Sequence, residues 1–178
     1  MAKFDTIKQE IIHENPYWIY RKDEYLMPND EIGNYFFVET PGSVFVIPQL
    51  DDGRFILVRQ FRYLNGRFSI EFPGGGVKSE NSIEHNAKKE LKEEAGLITG
   101  SIKKIGEFNP LNGVTNEICH VFFAQELRFE ENSPDAGEEF SILTFNEIEI
   151  DSLIKSGELW DGMTLAAWSL YKLCIKGV

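Results

Sequence analysis

Three glutamates, Glu90, Glu93 and Glu94, lie close together in the middle of the chain. On an α-helix, residues three and four positions apart are neighbours, so this spacing places Glu93 and Glu94 one turn beyond Glu90. Like charges at such short range repel one another, and the helix gains nothing from them unless a cation binds there. Mg²⁺ prefers carboxylate oxygens and keeps room for water and substrate phosphates. The spacing therefore indicates a magnesium site.

A glycine turn and a set of capping residues define the helix that carries these carboxylates. We predict a helix from Ser82 to Ala95, with Ser82 as its N-cap and Gly96 as the residue that ends it. Apolar residues recur every four positions along it and give one buried stripe; they are Ile83, Ala87, Leu91 and Ala95. The carboxylates lie off this stripe, on the side of the preceding glycine turn.

This segment resembles the Nudix box, a glycine followed at fixed spacings by glutamates, an aliphatic residue, a Glu-Glu doublet and a second glycine. The matching positions are Gly75, Glu90, Leu91, Glu93, Glu94, Gly96 and Leu97. Two positions depart, because Asn81 and Lys89 stand where the family has Glu and Arg. In the family those two side chains bond each other. We expect an Asn carbonyl accepting from the Lys ammonium to replace that ion pair, with Glu80 as an alternative partner.

The resemblance covers nearly the whole chain and extends to one branch of the family. Arg59-Gln60-Phe61-Arg62-Tyr63 and the segment 156–161 with Thr164 are similar to ADP-ribose and nucleoside-diphosphate-sugar pyrophosphatases. It implies an α/β (α+β) fold, the Nudix α/β/α sandwich with a mixed β-sheet and an N-terminal antiparallel β-hairpin region. Residues 1–178 would form one Nudix domain, in which 1–40 help build a homodimer and 41–178 form the catalytic fold.

The same resemblance implies a metal site and a general base. Glu90 and Glu94 would be direct metal ligands, Glu93 a ligand or a bridge through water, and the backbone carbonyl of Gly74 a further ligand. Glycine permits the close approach that this last contact requires. The base is expected in an acidic loop, at Glu138 or Glu139, where crowding by other carboxylates raises proton affinity. The sequence does not choose between these two residues.

Four further residues are candidates for binding substrate. Arg62 matches the arginine that grips the diphosphate, because a guanidinium presents a planar fork to two phosphate oxygens. Glu71 is expected to face the same cleft, and Arg59 is a second candidate. Trp18 would stack on a nucleobase, although aromatic residues in strands more often pack against a sheet or an interface.

The predicted reaction is Mg²⁺-dependent hydrolysis of the pyrophosphate bond in a nucleoside diphosphate linked to another moiety, ADP-ribose or a nucleotide sugar. The products would be a nucleoside monophosphate and a sugar phosphate, and Mn²⁺ would be a possible substitute metal. Many ADP-ribose enzymes place a proline fifteen residues beyond the box; here Asn112 stands there and Pro110 lies two residues earlier. Another sugar nucleotide therefore stays open. The alternative is a catalytically weak Nudix-fold module that binds nucleotides and regulates.

Composition limits the partners and the compartment. The formal net charge of −11 repels a nucleic-acid backbone, so a small nucleotide rather than nucleic acid is expected. No apolar run is long enough to cross a membrane, and the N-terminal residues lack the pattern of a signal peptide. Cys119 and Cys174 are too few for a disulfide framework, so both are expected to be thiols in the cytoplasm.

The remaining elements follow from apolar patterning. An N-terminal hairpin is expected between residues 17 and 39, after an uncertain first segment 1–16. Residues 43–48 and 54–61 are expected to form a second hairpin around Asp51-Asp52-Gly53. The segment 148–172 is expected to be mostly helix, interrupted at Gly157.

Overall fold

The computed structural model describes residues 4–130 and 140–177 of the chain, and these form ten strands and three α-helices. The strands are β1 (Asp5–Glu14), β2 (Ile19–Leu26), β3 (Ile32–Glu39), β4 (Ser43–Pro48), β5 (Phe55–Arg62), β6 (Arg67–Glu71), β7 (Gly74–Gly76), β8 (Leu97–Phe108), β9 (Cys119–Phe129) and β10 (Ser141–Phe145). The helices are α1 (Ile83–Ala95), α2 (Glu147–Ser156) and α3 (Gly162–Tyr171).

By its contacts the chain divides into two compact units. The first unit runs up to Gly42 and includes the later segment Asn109–Ile118. The second unit contains Ser43–Phe108 and the chain from Cys119 onward. The boundary at Gly42 lies close to the expected one at residue 40. No sequence pattern predicts that Asn109–Ile118 joins the N-terminal strands.

The first unit is an antiparallel sheet in the order β1-β2-β3. The expected hairpin corresponds to β2 and β3, and β1 adds a third strand within residues 1–16, where the sequence pattern predicts no definite element. All ten residues of β1 are exposed. A strand with no buried face does not need alternating apolar and polar residues, and that alternation is the pattern by which a strand is predicted from sequence. The later segment is attached by backbone bonds such as Val38 N–H to Val114 O at 2.9 Å.

The second unit has helices on both sides of its strands. One sheet has the order β10-β5-β6, and the other has the order β7-β4-β9-β8, in which only β4 and β9 run parallel among the described strands. Alternate residues of β4 enter different cores, Val44 and Val46 packing with α1 residues and Phe45 and Ile47 with residues of α2 and α3. A strand covered on both faces reads as a continuous apolar run. This layering confirms the predicted α/β/α sandwich with a mixed sheet.

The expected hairpin between β4 and β5 is wrong. The turn closes as predicted, with Leu50 N–H bonding Arg54 O at 2.8 Å, and one bridge joins Gln49 to Phe55. Beyond the turn β4 pairs with β7 and β9, while β5 pairs with β6 and β10. Both strands are apolar enough to be buried in separate sheets, and a turn signal cannot show where the strands diverge.

Helix α1 begins and ends at the expected residues, and the segment expected to be mostly helix over 148–172 is interrupted at Gly157 as predicted. The Ser82 hydroxyl accepts from His85 N–H at 3.1 Å, and Gly96 ends α1 in the left-handed region at φ 61°. Gly157, at φ 78°, ends α2 in the same way, and Asp161 caps α3. None of the helices in the described residues is long and apolar enough to cross a membrane.

Candidate active site

Helix α1 carries the three predicted carboxylates on neighbouring positions with different exposure. Glu94 is almost completely buried, at 5% exposed, whereas the side chains of Glu90 and Glu93 are 14% and 24% exposed. The Lys89 ammonium forms an ion pair with Glu93 and lies 3.8 Å from a Glu90 oxygen. This residue, which departs from the family pattern, therefore interacts with the acidic cluster itself. Its expected bond to Asn81 stays a prediction.

The glycine turn packs directly against these carboxylates. The N–H of Gly74 donates to Glu94 Oε2 at 2.9 Å, so the predicted carbonyl ligand and a predicted carboxylate ligand are neighbours. A Cβ atom on Gly75 would lie 2.5 Å from Glu90 Oε2, which is closer than real contacts allow. Glycine is thus required at position 75 for the Glu90 carboxylate to approach the turn.

Asn86 joins the loop before α1 to the helix itself, a role that the sequence pattern does not predict. Its side chain is fully buried, accepts from Lys78 N–H at 3.0 Å, and donates to Lys78 O at 3.2 Å and Ser82 O at 3.0 Å. A buried amide with all these bonds made holds one loop conformation. An uncharged polar residue beside the apolar stripe was the available signal.

Arg62 and Glu71 form a bidentate ion pair. Arg62 Nε lies 2.7 Å from Glu71 Oε1, the second guanidinium nitrogen bonds Oε2, and Gln60 Nε2 donates to Oε2 at 3.3 Å. The hydrogen bonds to Glu71 raise the pKa of Arg62 above its ordinary value. Glu71 is 1% exposed while the Arg62 side chain is 43% exposed. Buried Glu71 therefore orients the Arg62 guanidinium, and the exposed part of that guanidinium is accessible to a phosphate group.

A second arginine, Arg67, lies directly opposite Arg62 across the β5–β6 pairing. Its guanidinium sits 3.8 Å above the Trp160 ring, and the Trp160 indole donates to Phe68 O at 3.1 Å. Stacking on an indole restrains an arginine and leaves its edge available for hydrogen bonds. Residues directly opposite in an antiparallel pair share a face of the sheet, so Arg67 joins Arg62. The sequence alone does not give this register.

Arg59 lies on the other face of β5, since side chains three positions apart on a strand point to opposite faces. There its guanidinium lies 3.8 Å above the Phe68 ring. The structure therefore brings Arg62 and Glu71 together but places Arg59 apart from them. Its role in substrate binding stays a prediction.

The start of α3 is hydrogen-bonded to the segment between Glu71 and Gly74. Asp161 Oδ2 accepts from Thr164 N–H at 2.7 Å, and the buried Thr164 hydroxyl accepts from Phe72 N–H at 3.2 Å. Burial, followed by repulsion from Glu71, raises the pKa of Asp161 above its ordinary value. This helix end thus fixes the short segment between Glu71 and Gly74, which joins the arginine to the acidic cluster.

The donor set suits a hard divalent cation bound together with a substrate. No group of three His, Cys, Asp or Glu side chains in residues 4–130 and 140–177 is already gathered into a metal-binding cluster. Mg²⁺ does not need one, because it is usually held by one or two carboxylates, several waters and substrate phosphates. Glu90, in the space that Gly75 leaves, and Glu94, which accepts from Gly74 N–H, could supply oxygen ligands of that kind.

Two predicted assignments lie elsewhere. Glu138 and Glu139, the candidates for the base, fall outside the described residues. Trp18 lies in the first unit, with its ring 5.7 Å from that of His13, and its stacking role stays a prediction.

Comparison with known proteins agrees with this geometry. The model of the NUDIX domain matches residues 39–164, which is most of the chain. The chain belongs to the Nudix family. It is 31% identical to an ADP-ribose pyrophosphatase of Bacillus subtilis (strain 168) over 172 residues, covering 95% of this chain and 91% of that protein. It is also 30% identical to an ADP-ribose pyrophosphatase of Mycobacterium tuberculosis (strain ATCC 25618 / H37Rv) over 142 residues, covering 79% and 68%.

A solved structure shares the fold. The crystal structure of an ADP compounds hydrolase superposes with a TM-score of 0.87, covering 98% of this chain and 95% of that one at 18% identity. The predicted family, fold class and enzyme class are confirmed. Nudix pyrophosphatases generally use a divalent metal, in agreement with the oxygen donors of α1.

Proposed function

We propose that this Nudix hydrolase cleaves the pyrophosphate bond of ADP-ribose or a related nucleoside-diphosphate sugar with Mg²⁺, giving a nucleoside monophosphate and a sugar phosphate. One observation supports it above the others. The segment Glu71–Gly74 connects an arginine held by a buried carboxylate to a glycine that bonds Glu94 of the acidic helix. Four residues therefore connect Arg62, the proposed phosphate-binding cation, to Gly74 and Glu94, two of the proposed metal ligands.

The residues of the chain divide the work between them. Arg62, oriented by Glu71, would bind the diphosphate through two parallel hydrogen bonds, and Arg67 would add a second positive charge on the same face. Glu90 and Glu94, with the Gly74 carbonyl, would hold the metal, and Glu93 would bind it directly or through water. When bound, the metal neutralises the phosphate charge and lowers the pKa of a bound water. Glu138 or Glu139 would accept the proton from the attacking water.

ADP-ribose is the first choice of substrate because two relatives that the chain resembles over most of its length carry that activity in their names. The diphosphate contacts through Arg62 and the metal are common to all nucleoside-diphosphate sugars. They define the class of bond but leave the base and sugar to be measured.

A homodimer in the cytoplasm completes the proposal. The first unit exposes large apolar side chains on two of its strands, β1 and β3, and exposed apolar surface of this kind is typical of an interaction site; the side chains include Ile7, Ile11, Ile12, Ile32 and Phe36. A second copy of the chain is the proposed cover. The cytoplasm is proposed because Cys119 and Cys174 are present as thiols, which an oxidising compartment does not favour.

The test is a panel assay of ADP-ribose, other nucleoside-diphosphate sugars and nucleoside triphosphates with Mg²⁺ or Mn²⁺, with products separated chromatographically. We expect AMP and ribose phosphate from ADP-ribose, and loss of activity when the metal is chelated. Glu93→Gln and Glu94→Gln should each reduce the rate by about a hundredfold or more, while the fold, followed by circular dichroism, is retained.

Glu84→Gln is the matched control, since Glu84 is on the same helix but is exposed and paired with Lys88. It should behave as wild type. Binding of ADP-ribose without turnover under all metal conditions would contradict the enzyme and favour the regulatory module. Unchanged rates in both Glu93→Gln and Glu94→Gln would remove the metal-site assignment.

A further inference from the structure

One face of the N-terminal sheet contains a cavity of about 280 Å³, lined by Phe4, Thr6, Asp23, Tyr25 and Tyr35. Register explains why these residues meet. Tyr25 pairs with Thr6 on one side and with Gly33 on the other, and Asp23 pairs with Tyr35. Residues two apart on a strand share a face, so three rings and one carboxylate surround the same space.

Gly33 allows the central ring to lie flat across the sheet. A Cβ atom at this position would fall 2.6 Å from Cζ of Tyr25. The Phe4 ring meets the Tyr25 ring edge-on, with centroids 5.4 Å apart. Tyr35 is fixed separately, because its hydroxyl donates to Gly113 O at 3.0 Å. The rings are therefore positioned by the backbone pairing and by their own contacts.

Asp23 places an incompletely paired carboxylate in this aromatic wall. Gln9 Nε2 donates to Asp23 Oδ2 at 3.3 Å. The other oxygen, Oδ1, is buried and accepts no hydrogen bond from the residues that the structure describes. Arg21, the cation two positions earlier on the same strand and face, is in an ion pair with Glu39. A buried carboxylate oxygen that accepts no hydrogen bond is costly and requires a donor.

We propose that this cavity binds a small organic cation, a methylated ammonium that retains one N–H. The N–H would donate to Asp23 Oδ1, and the methyl groups would lie against Phe4, Tyr25 and Tyr35, which attract a cation through their π-systems. The cavity is at the lower end of the size of ligand pockets, so it fits a head group with a short substituent. The site belongs to the first unit, whereas α1 and Arg62 belong to the second.

The experiment compares three probes of similar shape by calorimetric titration of the full chain. Trimethylammonium carries a charge and one N–H, tetramethylammonium carries the charge alone, and tert-butanol is a neutral donor. We expect trimethylammonium to bind saturably, and each of the other two about tenfold more weakly. This ranking is measured on the wild-type chain and does not depend on any variant being folded.

Two variants locate the site. Asp23→Asn should weaken trimethylammonium binding about tenfold and remove its advantage over tetramethylammonium. Glu24→Gln is the matched control, because Glu24 is the next residue on β2, faces the opposite side and pairs with Lys22 at 3.2 Å. It should bind as wild type.

Three results would each overturn the proposal: equal binding of all three probes, no saturable binding of any probe, or unchanged trimethylammonium binding by Asp23→Asn. A further outcome would also overturn it: no probe binds, and Asp23→Asn loses the self-association of wild type. That result would indicate that a side chain of a second copy occupies the cavity.

Discussion

At the scale of single residues, the candidate site contains hydrogen-bonded pairs in which a buried carboxylate holds a partly exposed group. Glu71 is buried beneath Arg62, and Glu94 is buried against the N–H of Gly74. A buried carboxylate is stable only when its hydrogen bonds are made. Each of these bonds therefore fixes a group to which we assign a role in binding substrate or metal, because the buried carboxylate cannot exchange the bond for one to water.

Gly75→Ala tests whether the space at the glycine turn positions Glu90. The added Cβ would lie 2.5 Å from Glu90 Oε2, so the carboxylate must move away. We expect the Mg²⁺-dependent rate of ADP-ribose hydrolysis to fall about tenfold or more, with the metal concentration for half-maximal rate raised. Gly76→Ala is the control, since its Cβ would meet nothing within 4 Å. Equal rates in the two variants would show that the Glu90 position does not depend on Gly75.

Asp161 gives a prediction for pH dependence. Burial, together with repulsion from Glu71, raises the pKa of Asp161 in the folded chain. Such a group contributes stability below its unfolded pKa and loses that contribution as pH rises through the folded pKa. Asp161→Asn keeps an acceptor for the Thr164 N–H. It should therefore raise the free energy of unfolding at about pH 7 relative to wild type, and the difference should shrink towards about pH 4.

Urea unfolding at several pH values measures this difference. Asp52→Asn is a control of opposite sign, because the hydrogen bond from Arg54 lowers the pKa of exposed Asp52. Asp52 therefore contributes stability that is present above its unfolded pKa and lost as pH falls. A difference between Asp161→Asn and wild type that grows on acidification would contradict the assigned direction.

At the scale of elements, α3 is attached to the active-site segment by one buried hydroxyl. Thr164→Val keeps the shape but leaves Phe72 N–H, which now donates at 3.2 Å, without an acceptor. We expect a loss of about 1–3 kcal/mol in the free energy of unfolding, measured by urea denaturation, together with a lower kcat. Thr164→Ser retains the acceptor and should keep kcat near wild type. Similar kcat values in the two variants would show that the bond supports stability alone.

How much the sequence predicts differs between elements for physical reasons. Helix α1 was predicted with its cap, its end and its carboxylates, because the signals lie within one continuous segment. Strand β4 was equally clear, since burial on both faces leaves an uninterrupted apolar run. The place of Arg67 beside Arg62 depends on the register between β5 and β6, which the sequence does not specify. The separation of β4 from β5 depends on their pairing with strands far along the chain. Asn86 was missed because its three bonds become visible only when the loop is folded back onto the helix.

At the scale of the whole molecule, acidic residues outnumber basic ones, 29 Asp and Glu against 18 Lys and Arg. The net charge of −11 opposes binding of an anionic nucleotide. In the proposed function, Arg62 and Arg67, together with a divalent cation on α1, would offset this repulsion locally. The first unit exposes apolar side chains on β1 and β3, so self-association of the chain can be tested directly.

Phe36→Glu should convert a dimer to a monomer. Phe36 is 50% exposed on β3, and a carboxylate there opposes burial against a second copy. Light scattering coupled to size-exclusion chromatography should give about twice the chain mass of 20.4 kDa for wild type and the single mass for the variant. Asn34→Glu, two residues earlier on the same face, adds the same charge at a polar exposed position and should stay dimeric. If wild type already has the mass of one chain, the exposed strands do not form a homodimer. If both variants dissociate, net charge rather than apolar burial governs the association.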